Sequence, residues 1–160
     1  MPRWFGRRSR EEKQAAARDA LLGAAQQRGI PTMRVDDPEE LAVSLGVAAY
    51  QNGDLARAEE TFRTVAAAGR RASAKAAYYL GELLQGRGEV AEAEGLLRAV
   101  ESQSPQWAPR AAFNLGGVLA MQGRNDEAEA AFRRAVDSGH PEDAPGALTY
   151  LAALYFRTGR

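Results

Sequence analysis

Apolar side chains return every three or four positions along most of this chain, in short bursts parted by glycine or proline. Ala77, Leu80, Gly81 and Leu84 share one face of a helix predicted over Ala74 to Gln85, and Gly86-Arg87-Gly88 interrupts it. Val90, Ala93, Leu97 and Val100 form the next stripe, over Glu89 to Ser102, which Pro105 stops. The pattern then recurs with Ala112, Leu115, Gly116 and Leu119, a break at Gly123, and Ala128, Phe132 and Ala135. Helix starts are signalled as well. Asp37-Pro38-Glu39-Glu40 offers a cap, a proline at the first helical position and a glutamate three residues after the cap. Pro109 and Pro145 open later helices in the same way. Ser9-Arg10-Glu11-Glu12 opens a further helix, placed at residues 9–29, and residues 30–37 read as a connector.

Sliding the chain against itself shows that these bursts are copies. Leu45-Gly46, Leu80-Gly81 and Leu115-Gly116 recur every 35 residues, as do Gly53, Gly88 and Gly123. Ala58, Ala93 and Ala128 follow at the same period, then Glu59, Glu94 and Glu129, then Phe62, Leu97 and Phe132, then Arg63, Arg98 and Arg133. A fourth copy begins with Leu151 and Gly159, shifted by 36, so one residue is added in the Gly139–Gly146 connection. Each unit is a pair of helices. Gly46, Gly81 and Gly116 are placed where the two helices approach closely, with Ala58, Ala93 and Ala128 expected across that contact. The units fall at about 38–72, 73–107, 108–143 and a partial 144–160, after a basic disordered tail at 1–8.

Composition removes much of the functional menu. There are 33 alanines, which favours helix. Cysteine is absent, which excludes disulfides, thiolate nucleophiles and cysteine metal sites. The single histidine, His140, supports neither a multi-histidine metal centre nor a triad; with Glu142 and Asp143 beside it, it reads as a solvated turn. The glycines follow the repeat and form no phosphate-cradling run. No enzyme, metal or cofactor is therefore expected. Charge sums to zero, with 21 basic and 21 acidic side chains, so no broad field attracts nucleic acid. Only Arg3, Arg7, Arg8 and Arg10, beside Trp4 and Phe5, form a basic stretch. Residues 1–10 are the one place for membrane or nucleic-acid contact. With neither a spanning segment nor a secretory signal, the expected address is cytoplasmic. The recurring Glu59-Glu60, Glu92-Glu94 and Glu127-Glu129 pairs read as the solvated face of each second helix.

The repeated positions resemble the tetratricopeptide repeat (TPR). The likeness rests on a small residue before Leu-Gly (Ala42, Ala77, Ala112), Leu-Gly itself, the turn glycine, the second-helix alanine and the aromatic or leucine four residues on. Asn114-Leu115-Gly116 and Gln122-Gly123-Arg124-Asn125-Asp126-Glu127-Ala128 are its nearest stretches. Sel1-like repeats are similar too. The chain departs from the pattern where the family often has Trp in the first helix: alanine stands there in all three full units. The resemblance implies an all-α fold, an α-solenoid of stacked hairpins in a right-handed superhelix, binding a protein or peptide on its concave face.

By the same resemblance, the groove positions are Tyr50, Tyr78, Tyr79, Glu82, Gln85, Phe113, Asn114, Met121, Tyr150 and Arg157. Tyr79, Phe113 and Tyr150 have two readings, as groove anchors or as stitches between neighbouring hairpins. Phe62, Phe132 and Tyr155 are assigned to the core. Some members of the family grip a carboxylate tail with Lys and Asn. Here those positions hold Val43, Tyr78 and Phe113, then Val47, Glu82 and Gly117, so an apolar extended or helical segment is the expected ligand. Finally, Leu148 to Phe156 carries no charge, and a helix apolar all round should be covered on both sides. Self-association through residues 144–157, with Leu148, Leu154 and Phe156 as contacts, is expected unless the chain is a piece of a longer array.

Overall fold

The computed structural model describes residues 37–69 and 72–159, with Ala20 and Gln27 as isolated positions before them. The expectations for the tail at 1–8, the helix at 9–29 and the connector up to residue 36 lie outside the described residues. The described part holds seven helices and no strand: α1 (Pro38–Gln51), α2 (Leu55–Ala67), α3 (Ser73–Gly86), α4 (Val90–Gln103), α5 (Ala108–Met121), α6 (Asn125–Asp137) and α7 (Ala144–Thr158). The odd helices start at 38, 73, 108 and 144, and the extra residue lies between Asp137 and Ala144. Within each hairpin, Gly53, Gly88 and Gly123 take φ of 79°, 78° and 74°, a left-handed turn open to glycine at no steric cost.

The caps are less uniform than the sequence suggests. The Asp37 carboxylate accepts from Glu39 N at 3.0 Å, as expected of a cap. Glu40 turns elsewhere: its carboxylate accepts from Lys75 Nζ at 2.7 Å and ties α1 to α3. Pro109 and Pro145 sit at the second helical position, behind Trp107 and Asp143, whose side chains make no cap bond.

The close approach inside each hairpin is set by glycine against a large side chain. A Cβ at Gly46 would lie 2.6 Å from the Phe62 ring, and one at Gly116 would lie 2.5 Å from Phe132. At Gly81 the partner is Leu97, at 3.0 Å. The expected partners Ala58, Ala93 and Ala128 are fully buried beside this contact, but the ring or leucine four residues later fills it. The core runs continuously through the array, from Val43 by Phe62, Leu84, Leu97 and Leu119 to Phe132 and Leu154.

Among the described helices α3 and α5 each pack on the even helices either side, α1 and α7 on one each, and successive odd helices also touch; no even helix packs against the next even one. The array therefore bends, with odd helices on the inner side. The wider outer gaps are crossed by long side chains. Arg63 on α2 pairs with Glu92 on α4 at 2.6 Å, and Arg98 on α4 pairs with Glu127 on α6 at 3.1 Å. Glu59, Glu94 and Glu129 hold those arginines, or Arg133, from four residues before. Arg124 reaches back to Glu94 at 2.7 Å. Most of the recurring glutamates are thus rungs of an inter-repeat ladder, not a freely solvated face. The arginine at the same period was the signal for it.

Candidate protein-binding face

The inner face is built by α1, α3, α5 and α7. At its middle is a polar cluster. Asn114 Nδ2 donates to the Tyr78 hydroxyl at 3.1 Å. The Glu82 carboxylate lies near that hydroxyl, and its charge raises the Tyr78 phenol beyond what burial does. Glu82 is half-buried, and burial raises its carboxyl above the usual range, offset in part by Tyr78 and by the positive charge of Arg110. Tyr50 faces the same carboxylate from α1; burial and the Glu82 charge both raise its phenol. One helix further on, Gln85 reaches toward the Met121 sulfur at 4.0 Å, across the bare backbone of Gly117. Met121 is 58 % exposed.

The aromatic candidates divide differently. Tyr78 is buried at 8 % exposure and meets the Trp107 ring at 5.2 Å. Tyr79 stacks on Phe62 at 5.6 Å and meets both Tyr78 and Trp107 edge-on. Phe113 lies edge-on to Tyr150 at 5.5 Å, and Tyr150 stacks on Phe132 at 5.8 Å. Tyr79, Phe113 and Tyr150 therefore stitch successive hairpins together, and each also keeps part of its surface open. Tyr150 and Arg157 share a hollow of about 160 Å³ between α5 and α7, and Arg157 donates to Asn125 at 2.9 Å. Phe62 and Phe132 are core, whereas Tyr155 is half-exposed and uses its hydroxyl, accepting from Arg133 and donating to Glu129.

Trp107 was not singled out by the sequence. It lies in the connector before α5, outside any helical stripe, and Arg110 lies over its ring at 5.5 Å. A tryptophan three residues before an arginine was the only signal. His140 is also better placed than a solvated turn implies. Its Nδ1 lies 2.7 Å from Asp143 Oδ2, both atoms are buried, and Arg110 approaches the same carboxylate at 3.5 Å. Arg110 also pairs with Glu142. Among the described residues no group of three or more His, Cys, Asp or Glu side chains could hold a metal ion, and no helix is long and apolar enough to cross a membrane.

The three self-association candidates part company on α7. Leu154 is 4 % exposed and packs into the array, so it is core and not a contact for another molecule. Leu148 and Phe156 are 54 % and 91 % exposed. A larger hollow, about 680 Å³, lies on the outer side between α2 and α4. Its floor includes Ala77 and Leu80 of α3.

Comparison with known proteins matches this geometry. The model of a tetratricopeptide repeat-like domain matches residues 39–153. A MamA structure from AMB-1 superposes with a TM-score of 0.65 at 23 % identity, covering 92 % of this chain and 84 % of that one. TPR-like repeats assigned to a kinesin light chain of Podosopora anserina superpose with a TM-score of 0.62 at 18 % identity, covering 96 % of this chain and 90 % of that one. No curated protein matches the chain. The chain belongs to the tetratricopeptide repeat-like family, whose fold generally serves as a protein–protein interaction scaffold.

Proposed function

We propose that this protein is a non-enzymatic scaffold that binds an extended or helical protein segment along the face of α1, α3 and α5. One observation carries the reading. Glu82 is a half-buried carboxylate on the inner face, near the Tyr78 and Tyr50 hydroxyls. A carboxylate in that position is better satisfied by a further donor than by burial alone. The ligand that suits it presents an N–H or a basic side chain to Glu82 and an apolar side chain to exposed Met121. Side-chain sulfur adapts to varied apolar shapes, which suits a binding surface.

The test is capture from source-cell lysate by wild type and by Tyr50→Ala/Glu82→Gln/Met121→Ala, at matched thermal midpoints. These three positions are preferred to Tyr79, Phe113 and Tyr150, whose rings hold the joints. Loss of a partner by the folded variant supports the reading. Capture of the same proteins by both overturns it.

A further inference from the structure

Glu82 stands where the repeat asks for no charge. The same position holds Val47, Gly117 and Ala153 in the other copies, so packing of the hairpins does not require a carboxylate there. Its presence has a cost, because it is half-buried and burial works against its ionised form. Beyond the first turn of α1 it is also the only acidic side chain in the four odd helices. A charge that the fold does without, and that weakens it, points to a ligand. The chain supplies no cation to match it. The odd helices carry Lys75, Arg110 and Arg157. Lys75 is taken by Glu40 at 2.7 Å, Arg110 by Glu142 and Asp143, and Arg157 donates to Asn125 at 2.9 Å. Arg110 reaches Glu82 only through its field. Among the described residues Glu82 therefore has no ion-pair partner.

Its neighbours select the kind of cation. The half-buried Tyr50 faces the carboxylate from α1. A guanidinium is planar, meets a carboxylate through two parallel N–H bonds and stacks on an aromatic face. An ammonium is a strongly hydrated point charge and does neither as well. The chain already uses this combination on α5, where Arg110 lies over the Trp107 ring at 5.5 Å while its nitrogens meet Glu142 and Asp143. We infer that the partner segment places an arginine side chain on Glu82, against the Tyr50 ring. The inference rests on the inner-face reading above and narrows its ligand to one residue type at one position.

The test is a random peptide library displayed on phage and selected on the full chain. Peptides whose affinity falls in Tyr50→Ala/Met121→Ala, at a matched thermal midpoint, are inner-face ligands, and they should share an arginine. In a synthetic copy, replacing that arginine by citrulline keeps the shape and removes the charge. Binding should weaken about ten-fold or more, and lysine should recover only part of the loss. Glu82→Gln should weaken the arginine peptide by a similar factor and leave the citrulline peptide nearly unchanged, because both changes remove one interaction. Inner-face ligands without arginine, full recovery by lysine, or losses from citrulline and Glu82→Gln that simply multiply overturn this inference and leave the inner-face reading standing. A library that yields no binder, or binders that hold Tyr50→Ala/Met121→Ala as tightly as wild type, overturns both.

Discussion

α3 and α7 occupy the same place in successive copies of one repeat, yet they live in different surroundings. α3 lies between α2 and α4, and its Leu80, Leu83 and Leu84 are buried at 2 %, 1 % and 0 % exposure. α7 has α6 and α5 on one side only, and of its large apolar side chains Leu154 alone is buried. The upstream joints are nonetheless alike. Tyr79 stacks on Phe62 at 17° between ring planes, and Tyr150 stacks on Phe132 at 25°. The joint to the preceding hairpin is thus written into each unit. The fate of the other face depends on what lies against it, and there the residue choice changes: glycine in α3, alanine in α7.

The largest effect that separates the two helices is steric. Leucine placed at Gly116, which has the same covered setting as Gly81, must displace the Phe132 ring or push α6 away. The expected cost is about 3 kcal/mol, the upper end of ordinary overpacking. Ala152→Leu on α7 meets solvent and should change monomer stability by about 0.5 kcal/mol or less. Chemical denaturation of both variants, at concentrations low enough to exclude association, checks this. Equal losses would mean that α7 is covered within one molecule.

A smaller contrast concerns the two tyrosines. Tyr79→Ala removes a ring packed against Phe62, Tyr78 and Trp107, and should cost about 3 kcal/mol. Tyr150→Ala removes one that is 56 % exposed and should cost about 1 kcal/mol. Thermal denaturation by circular dichroism reads both. Similar losses would show that the preceding joint, not the open face, dominates.

The smallest expected effect is electrostatic and has two opposing signs. Arg124, Gln122 and Arg98 hold the Glu94 carboxyl down at about 2. A lowered folded value stabilises above the ordinary range near 4.5, and that contribution disappears as pH falls from there toward about 2. Glu82 is raised by burial, so its ionised form weakens the fold at neutral pH and the weakening is relieved as pH falls through its raised value toward 4.5. Glu94→Gln should flatten the acid limb of stability below pH 4.5. Glu82→Gln should stabilise at neutral pH and lose that advantage near pH 4.5. Solvent screens the Glu94 pairs, so its share is about 0.5 kcal/mol or less. A pH–stability profile unchanged in both variants would refute the assignment.

The repeat, the helix pairs and the close approach at each Leu-Gly were legible because each rests on local periodicity that three copies repeat. The ladder was half legible: Arg63, Arg98 and Arg133 were visible at the period, but their Glu92 and Glu127 partners lie in the next copy. The inner face was legible as a row of positions and not as an arrangement. Nothing local indicates that Asn114 donates to Tyr78 beside Glu82, because the three belong to two helices. Trp107 sits where no periodicity marks it.

Helix identity and hairpin spacing were determined by the sequence itself, since apolar period, turn glycine and proline act within a few residues of where they stand. Burial was decided by the tertiary structure. Leu148, Leu154 and Phe156 are equally apolar as a string of letters, yet one is core and two are surface. The difference comes from the 100° turn between successive helical residues and from which neighbouring helix lies on which side.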